Sequence, residues 1–147
     1  MSKDGRVVVG VDGSPTSVEA IKWAAQQADR TSARLEAVIA WHYPTSYGFP
    51  VIADVDWADT AWATLDEAIE KALGDRAAAV VRRVIEGHPS HVLADAAVGA
   101  DALVVGARGH GGFAGLLLGS VSTHMVGHAL CPVVVVPRTC AEPAAAA

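Results

Sequence analysis

The chain has 147 residues, of which 52% are hydrophobic and 18% charged, and its formal net charge is −5. That balance excludes a disordered chain and predicts a well-buried domain over residues 1–140, with the Ala-rich tail 141–147 disordered. An acidic chain with no local basic cluster speaks against a nucleic-acid groove or an anionic membrane surface as partner.

In chain order, Arg6–Val11 (RVVVGV) is a continuous β-branched run, the pattern of a strand buried on both faces of a parallel sheet. It stops at Asp12-Gly13-Ser14-Pro15, where Ser14 reads as an N-cap and Pro15 as the first helical residue. Val18, Ile21, Ala25 and Ala28 carry that helix to about Arg30, and Leu35–Trp41 is a second strand. Residues 43–56 read as irregular, with Pro44, Gly48 and Pro50 as breakers. A second helix spans Trp57–Leu73 and stops at Gly74. Val80–Ile85 is a third strand, and its Arg82 and Arg83 suit a sheet edge. Gly87-His88-Pro89 opens a short helix through Val92, Leu93, Ala96 and Ala97. Ala102–Val105 is the fourth strand, Val121–Leu130 the fourth helix and Pro132–Pro137 the fifth strand.

Strands alternating with helices predict a Rossmann-like, doubly wound α/β fold with a five-stranded parallel sheet and four helices. The order 3-2-1-4-5 brings the two glycine-bearing loops, after strands one and four, to one crevice at the carboxyl ends of the strands. It leaves the valines of strand five on an uncharged edge, which predicts a homodimer through Pro132–Pro137.

No segment approaches the roughly 18 apolar residues of a membrane span, and Val7–Val11 is too short for a secretory h-region. Cys131 and Cys140 flank an extended run that, at about 3.3 Å per residue, holds them beyond disulfide reach. Reduced thiols and a cytoplasmic location are the expectation.

The stretch Asp101–Ser122 (DALVVGARGHGGFAGLLLGSVS) runs from a strand through a glycine-rich loop into a Ser-rich helix start. Glycine lets backbone approach a phosphate closely, and a helix N-terminus offers it free N–H groups. The stretch therefore reads as a phosphate cradle. It lacks the Gly-Lys-Ser/Thr of a Walker A loop, and the first βα turn lacks GxGxxG spacing. The spacing present is Gly106-x2-Gly109-x9-Gly119-Ser120. Ser120 can cap the helix or donate to a phosphate, and Asp12 can close an Asx turn or contact a ligand. Arg108 can neutralise phosphate or stand solvated in its loop.

This glycine spacing is joined by Val9-Gly10-Val11-Asp12-Gly13-Ser14 near the start and Glu86-Gly87-His88-Pro89 in the middle. Cys131-Pro132-Val133-Val134-Val135-Val136-Pro137 follows at the end. From Val7 to Pro137 the chain resembles a universal stress protein of the ATP-binding group. The resemblance implies an adenine-nucleotide-binding stress-response module taking ATP, with Mg²⁺ or Mn²⁺ bridging the phosphates rather than held by protein ligands alone. It implies that Gly106 and Gly109 border the nucleotide, with Gly119, Ser120, Val121 and Ser122 on the phosphates. Gly10, Val11 and Asp12 lie beside the adenosine, and the backbone of Ala40 lies at the adenine edge. Ile39 stands where family members commonly carry His.

A slow ATPase, or a binder of cyclic AMP or another adenine nucleotide acting as a partner-binding scaffold, is the alternative. No general base is evident near the cradle, so at most weak hydrolysis is expected. His124 and His128 have the i, i+4 spacing of a helical metal pair, but without HExxH or an acidic third ligand they read as a solvent-facing helix. His110 sits inside the glycine loop. Trp41, Tyr43, Tyr47 and Phe49 read as packing at the sheet end or as a wall over the base.

Overall fold

The computed structural model describes residues 5–43, 45–46, 48–50, 56–107 and 118–137. Five strands, β1 (Arg6–Val11), β2 (Arg34–Trp41), β3 (Val81–Glu86), β4 (Ala102–Gly106) and β5 (Val133–Val136), form a parallel sheet in the order β3-β2-β1-β4-β5. The helices are α1 (Pro15–Thr31), α2 (Trp57–Leu73), α3 (Pro89–Ala96) and α4 (Ser120–His128), with a 3₁₀ stretch Gly74–Ala79 after α2. Fold class and strand order are those the sequence predicts.

The differences are local. Thr45–Ser46 and Phe49–Pro50 pair as a two-residue antiparallel ladder inside the segment read as irregular. β3 is shifted one residue on from Val80–Ile85, and β5 loses both prolines, which have no N–H to give a ladder. α4 begins at Ser120 rather than Val121 and ends at His128 rather than Leu130. The chain is already extended at Ala129, ahead of Pro132. The tail from 138, including Cys140, lies outside the described residues.

β1 is the centre of the sheet, and its side chains alternate between two cores. Val7, Val9 and Val11 pack under α1 and α2 with Ile21, Leu65 and Ile69. Val8 faces the other layer with Leu93, Leu103 and Met125. Val7, Val8 and Val9 are at most 1% exposed, so each contributes about 1.5–3 kcal/mol of burial. Alanines Ala20, Ala24, Ala25 and Ala28 let α1 lie close on the sheet. The first two crossovers use one face and the next two the other, so the winding reverses between β1 and β4. Their carboxyl ends are therefore where a crevice opens.

The opposite end of the sheet is tied by charge. The Glu36 carboxylate is buried and accepts from Arg6 Nη1 at 3.1 Å, with Arg34 at 3.9 Å and Arg83 at 4.0 Å. Arg6 also donates to the Ala96 and Val98 carbonyls at 2.7 and 2.6 Å, capping the end of α3. Arg82 pairs with Asp66 of α2 at 2.6 Å and donates to the Ala77 and Val80 carbonyls. The edge arginines are thus partners in ion pairs as well as guards of the edge. Beside this end, burial pushes the Cys131 thiol up from its ordinary range, against smaller opposing effects of a Leu103 backbone hydrogen bond and the Arg6 charge.

Candidate functional site

At the carboxyl end of β1 stands the turn that follows it, one side of the reversal of winding. Asp12 is exposed, and its Oδ1 accepts the Ser14 N–H at 2.8 Å across Gly13, which takes φ +83°. The carboxylate therefore closes an Asx turn, and the left-handed step needs glycine. Ser14 caps α1 as expected: its Oγ accepts the Ser17 N–H at 3.3 Å, and Pro15 follows. Its hydroxyl lies 3.2 Å from that of Thr16, both buried.

The other side is the end of β4. A Cβ at Gly106 would stand 2.7 Å from Thr16 Oγ1 and 3.0 Å from the Thr16 carbonyl carbon. A Cβ at Gly10 would meet Leu93 Cδ1 at 2.7 Å. At Gly106 the backbone of α1 leaves no room for a side chain, whereas at Gly10 the end of the Leu93 side chain on α3 would have to move, whatever else these glycines border. Thr16 was invisible to sequence reasoning because nothing in its own neighbourhood marks a contact so distant in the chain.

Beyond Gly106, the Ala107 N–H donates to the Val136 carbonyl at 2.8 Å, and the Ala107 carbonyl accepts the Gly119 N–H at 2.6 Å. The chain leaves and returns at one point. Arg108, Gly109 and His110, with Gly111, Gly112 and Gly115, lie outside the described residues. Gly119 is the N-cap of α4, with φ −71°, ψ 169° and no side-chain cap. Ser120 is therefore the first helical residue and exposed, not the cap. Ser122 is 4% exposed, and its hydroxyl donates to the Gly106 carbonyl, so that proton holds α4 to β4. Thr123 bonds back to the Gly119 carbonyl through both N–H and Oγ1.

What remains is a helix start with anion-binding character. Among the described residues no carbonyl accepts the first-turn N–H groups of Ser120, Val121 and Ser122, and no acidic residue sits in that turn. Gly119, Ser120 and Val121 follow β4 and Asp12 follows β1, the two adjacent strands between which the winding reverses. The Val11 side chain is buried in the core, which leaves only its backbone to meet a ligand. Val11 pairs with Ile39, so Ala40 extends one residue past the end of β1, while the Ile39 side chain is committed to the core. The Trp41 and Tyr43 rings meet edge-on at 5.3 Å, Trp41 against the core and Tyr43 49% exposed. Tyr47 and the Phe49 side chain lie outside the described residues.

Three histidines gather at the same end of the sheet, which the sequence reading did not single out. His88 caps α3, its Nδ1 accepting the Ser90 N–H at 3.2 Å. Its ring is stacked 6.3 Å from His42 and tilted 5.7 Å from His91. The signal available was a polar ring placed directly before a helix-starting Pro. Among the described residues, no group of three or more His, Cys, Asp or Glu gathers to hold a metal ion.

A doubly wound α/β domain with a glycine turn after β1 and a helix N-terminus after the adjacent β4 is the class these features define. The universal stress protein family model matches residues 5–137, and the chain belongs to that family. It is 38% identical over 149 residues to Universal stress protein Rv1996 of Mycobacterium tuberculosis, covering 94% of this chain and 46% of the relative. A universal stress protein of Mycolicibacterium smegmatis is 34% identical, covering 90% and 46% respectively. The chain thus spans about half the length of these curated relatives. Among solved structures, a universal stress protein in complex with cAMP is 31% identical with a TM-score of 0.71, covering 94% of this chain and all of that one. UspA from Lactobacillus plantarum, 23% identical with a TM-score of 0.74 over 92% and 99%, shares the fold. Among the described residues, no helix is long and apolar enough to cross a membrane.

Proposed function

We propose that this universal stress protein domain binds an adenine nucleotide, ATP by preference, and acts as a regulatory module rather than an efficient enzyme. The observation that carries the reading is the start of α4. Gly119 supplies no capping side chain, and among the described residues nothing accepts the N–H groups of Ser120 and Val121, which suits them to an anion at the reversal of winding. The family resemblance over nearly the whole chain, and the cAMP complex of a relative 31% identical, support adenine as the base.

In this reading the phosphates rest on the backbone of Gly119, Ser120, Val121 and Ser122 and on the Ser120 hydroxyl, with Arg108 and Gly109 contributing from the loop. Gly10, Val11 and Asp12 flank the adenosine. A carboxylate has lone pairs for more than one donor, so Asp12 can accept from ribose hydroxyls while closing its turn. The backbone of Ala40 borders the base. The donor set fits a phosphate chain, and Mg²⁺ or Mn²⁺, where it takes part, is held by the phosphates and neutralises their charge. The cAMP-bound relative favours cyclic AMP as a second reading.

The domain pairs with a second copy through β5, an edge strand of four half-buried valines. A cytoplasmic setting belongs to the same reading and fits the free thiol of Cys131. The test is mass spectrometry of small molecules released from natively purified protein, with equilibrium titration by ATP, AMP and cyclic AMP. ATP bound most tightly supports the reading, cyclic AMP bound most tightly selects the second, and no adenine nucleotide bound rejects both.

A further inference from the structure

We propose that the edge of β3 is a docking site for an extended acidic segment of a partner protein, which adds to the sheet as a further strand. β3 ends the sheet on one side and pairs only with β2. The Gly87 N–H donates to the Trp41 carbonyl at 2.7 Å, so the odd-numbered residues of this strand turn their backbone groups to β2. The N–H and C=O groups of Arg82, Val84 and Glu86 therefore point outward, and among the described residues nothing bonds to them. No proline interrupts the strand, so all of these donors are present.

The side chains on the α3 face set the chemistry of the strand that fits. Glu36 pairs in register with Val81 and Val38 with Arg83, so Arg34, Glu36, Val81 and Arg83 share that face. The Glu36 carboxylate accepts from Arg6 at 3.1 Å, whereas Arg34 and Arg83 stand off at 3.9 and 4.0 Å, beyond hydrogen-bond reach. Three guanidinium groups thus share one buried carboxylate. Among the described residues those of Arg34 and Arg83 make no hydrogen bond. The Arg83 side chain is 40% exposed, and Val81, two residues back on the same face, 38%. Arg82, on the opposite face, is already held by Asp66 and by the Ala77 and Val80 carbonyls. A strand with a carboxylate alongside Arg83 and an apolar side chain alongside Val81 gains a charge-assisted hydrogen bond, buried apolar area and a backbone ladder together. A second β3 brings arginines of its own, so like charge turns away a copy of this edge.

The test uses the full chain, free of nucleotide, and the fluorescein-labelled peptide Thr-Val-Thr-Glu-Thr-Val-Thr, with lysine in place of glutamate as the control peptide. Fluorescence anisotropy at low ionic strength measures affinity, and amide hydrogen exchange by nuclear magnetic resonance reports where the peptide lies. The expected result is saturable binding of the glutamate peptide, at least about tenfold weaker for the lysine peptide and for Arg83→Gln. Exchange of the Val84 amide slows on binding, while the Arg83 and Ile85 amides, already turned to β2, keep their rates. Val134→Lys, on the opposite edge, keeps full affinity, and circular dichroism verifies that both variants are folded. Absence of saturable binding overturns the proposal. So does binding indifferent to the lysine exchange or to Arg83→Gln, an unchanged Val84 amide, or binding lost in Val134→Lys.

Discussion

The backbone N–H of Gly119 donates to the carbonyl of Ala107 at 2.6 Å, so the glycine loop is fastened at its mouth. A second tie, the Ser122 hydroxyl on the Gly106 carbonyl, fixes the first turn of α4 against β4. The helix start is thereby positioned by the loop's ends, whatever its interior does.

Removing that second tie isolates its contribution. Ser122→Ala leaves a carbonyl acceptor without its partner in a part-buried place and is expected to cost about 1–3 kcal/mol. Urea unfolding measures it through the midpoint at unchanged slope. A midpoint equal to wild type contradicts the assignment.

Gly106 tests whether a motif glycine serves the fold. Gly106→Ala drives a methyl into Thr16, backbone included, with an expected loss of about 1–3 kcal/mol. Thr16→Ala removes the nearest atom, so the double variant recovers part of that loss, and a double-mutant cycle gives a non-zero coupling. Strict additivity of the two changes excludes the contact as the cause.

At the other end of the sheet, Arg6→Ala strands the Glu36 carboxylate, whose side chain is 8% exposed, and uncovers the Ala96 carbonyl. Breaking a buried pair from one side costs about 3–5 kcal/mol. Arg34 and Arg83 near the same carboxylate set the expectation at the low end. Thermal unfolding of Arg6→Ala and Glu36→Gln is the measurement. Loss below about 1 kcal/mol in both shows the ion pair to be dispensable.

Strand five makes a prediction about assembly. Val134→Lys introduces a charge into the β5 edge, and multi-angle light scattering is expected to report monomers where the wild type gives dimers. Circular dichroism checks that the variant is folded. Persistent dimers exclude this edge as the interface.

The sheet order was legible because each strand carries its own apolar run and each helix its own stop, such as Gly74 and Pro89. Local signals failed where a residue's partner is remote. Gly10 and Gly106 read as ligand borders, and nothing local showed that a Cβ there would also meet Leu93 or Thr16. Ser120 could be read as a cap or as a phosphate donor, and the cap position is held by Gly119, whose backbone is extended at φ −71° and ψ 169°. Ser122 reads as a phosphate donor, while its hydroxyl is turned inward to Gly106. The edge charges of β3 were legible as charges, but not their partners Asp66 and Glu36.

Ser120→Asp separates binding from folding better than any truncation. An acidic side chain in the first turn of α4 complements the helix dipole, so stability is held or raised by about 0.3–1 kcal/mol. The same carboxylate repels a phosphate at that turn. Isothermal titration of wild type and Ser120→Asp with ATP is therefore the most direct measurement of the nucleotide site. The account predicts an undiminished melting temperature with at least about tenfold weaker ATP binding. ATP affinity unchanged in a folded Ser120→Asp protein contradicts it.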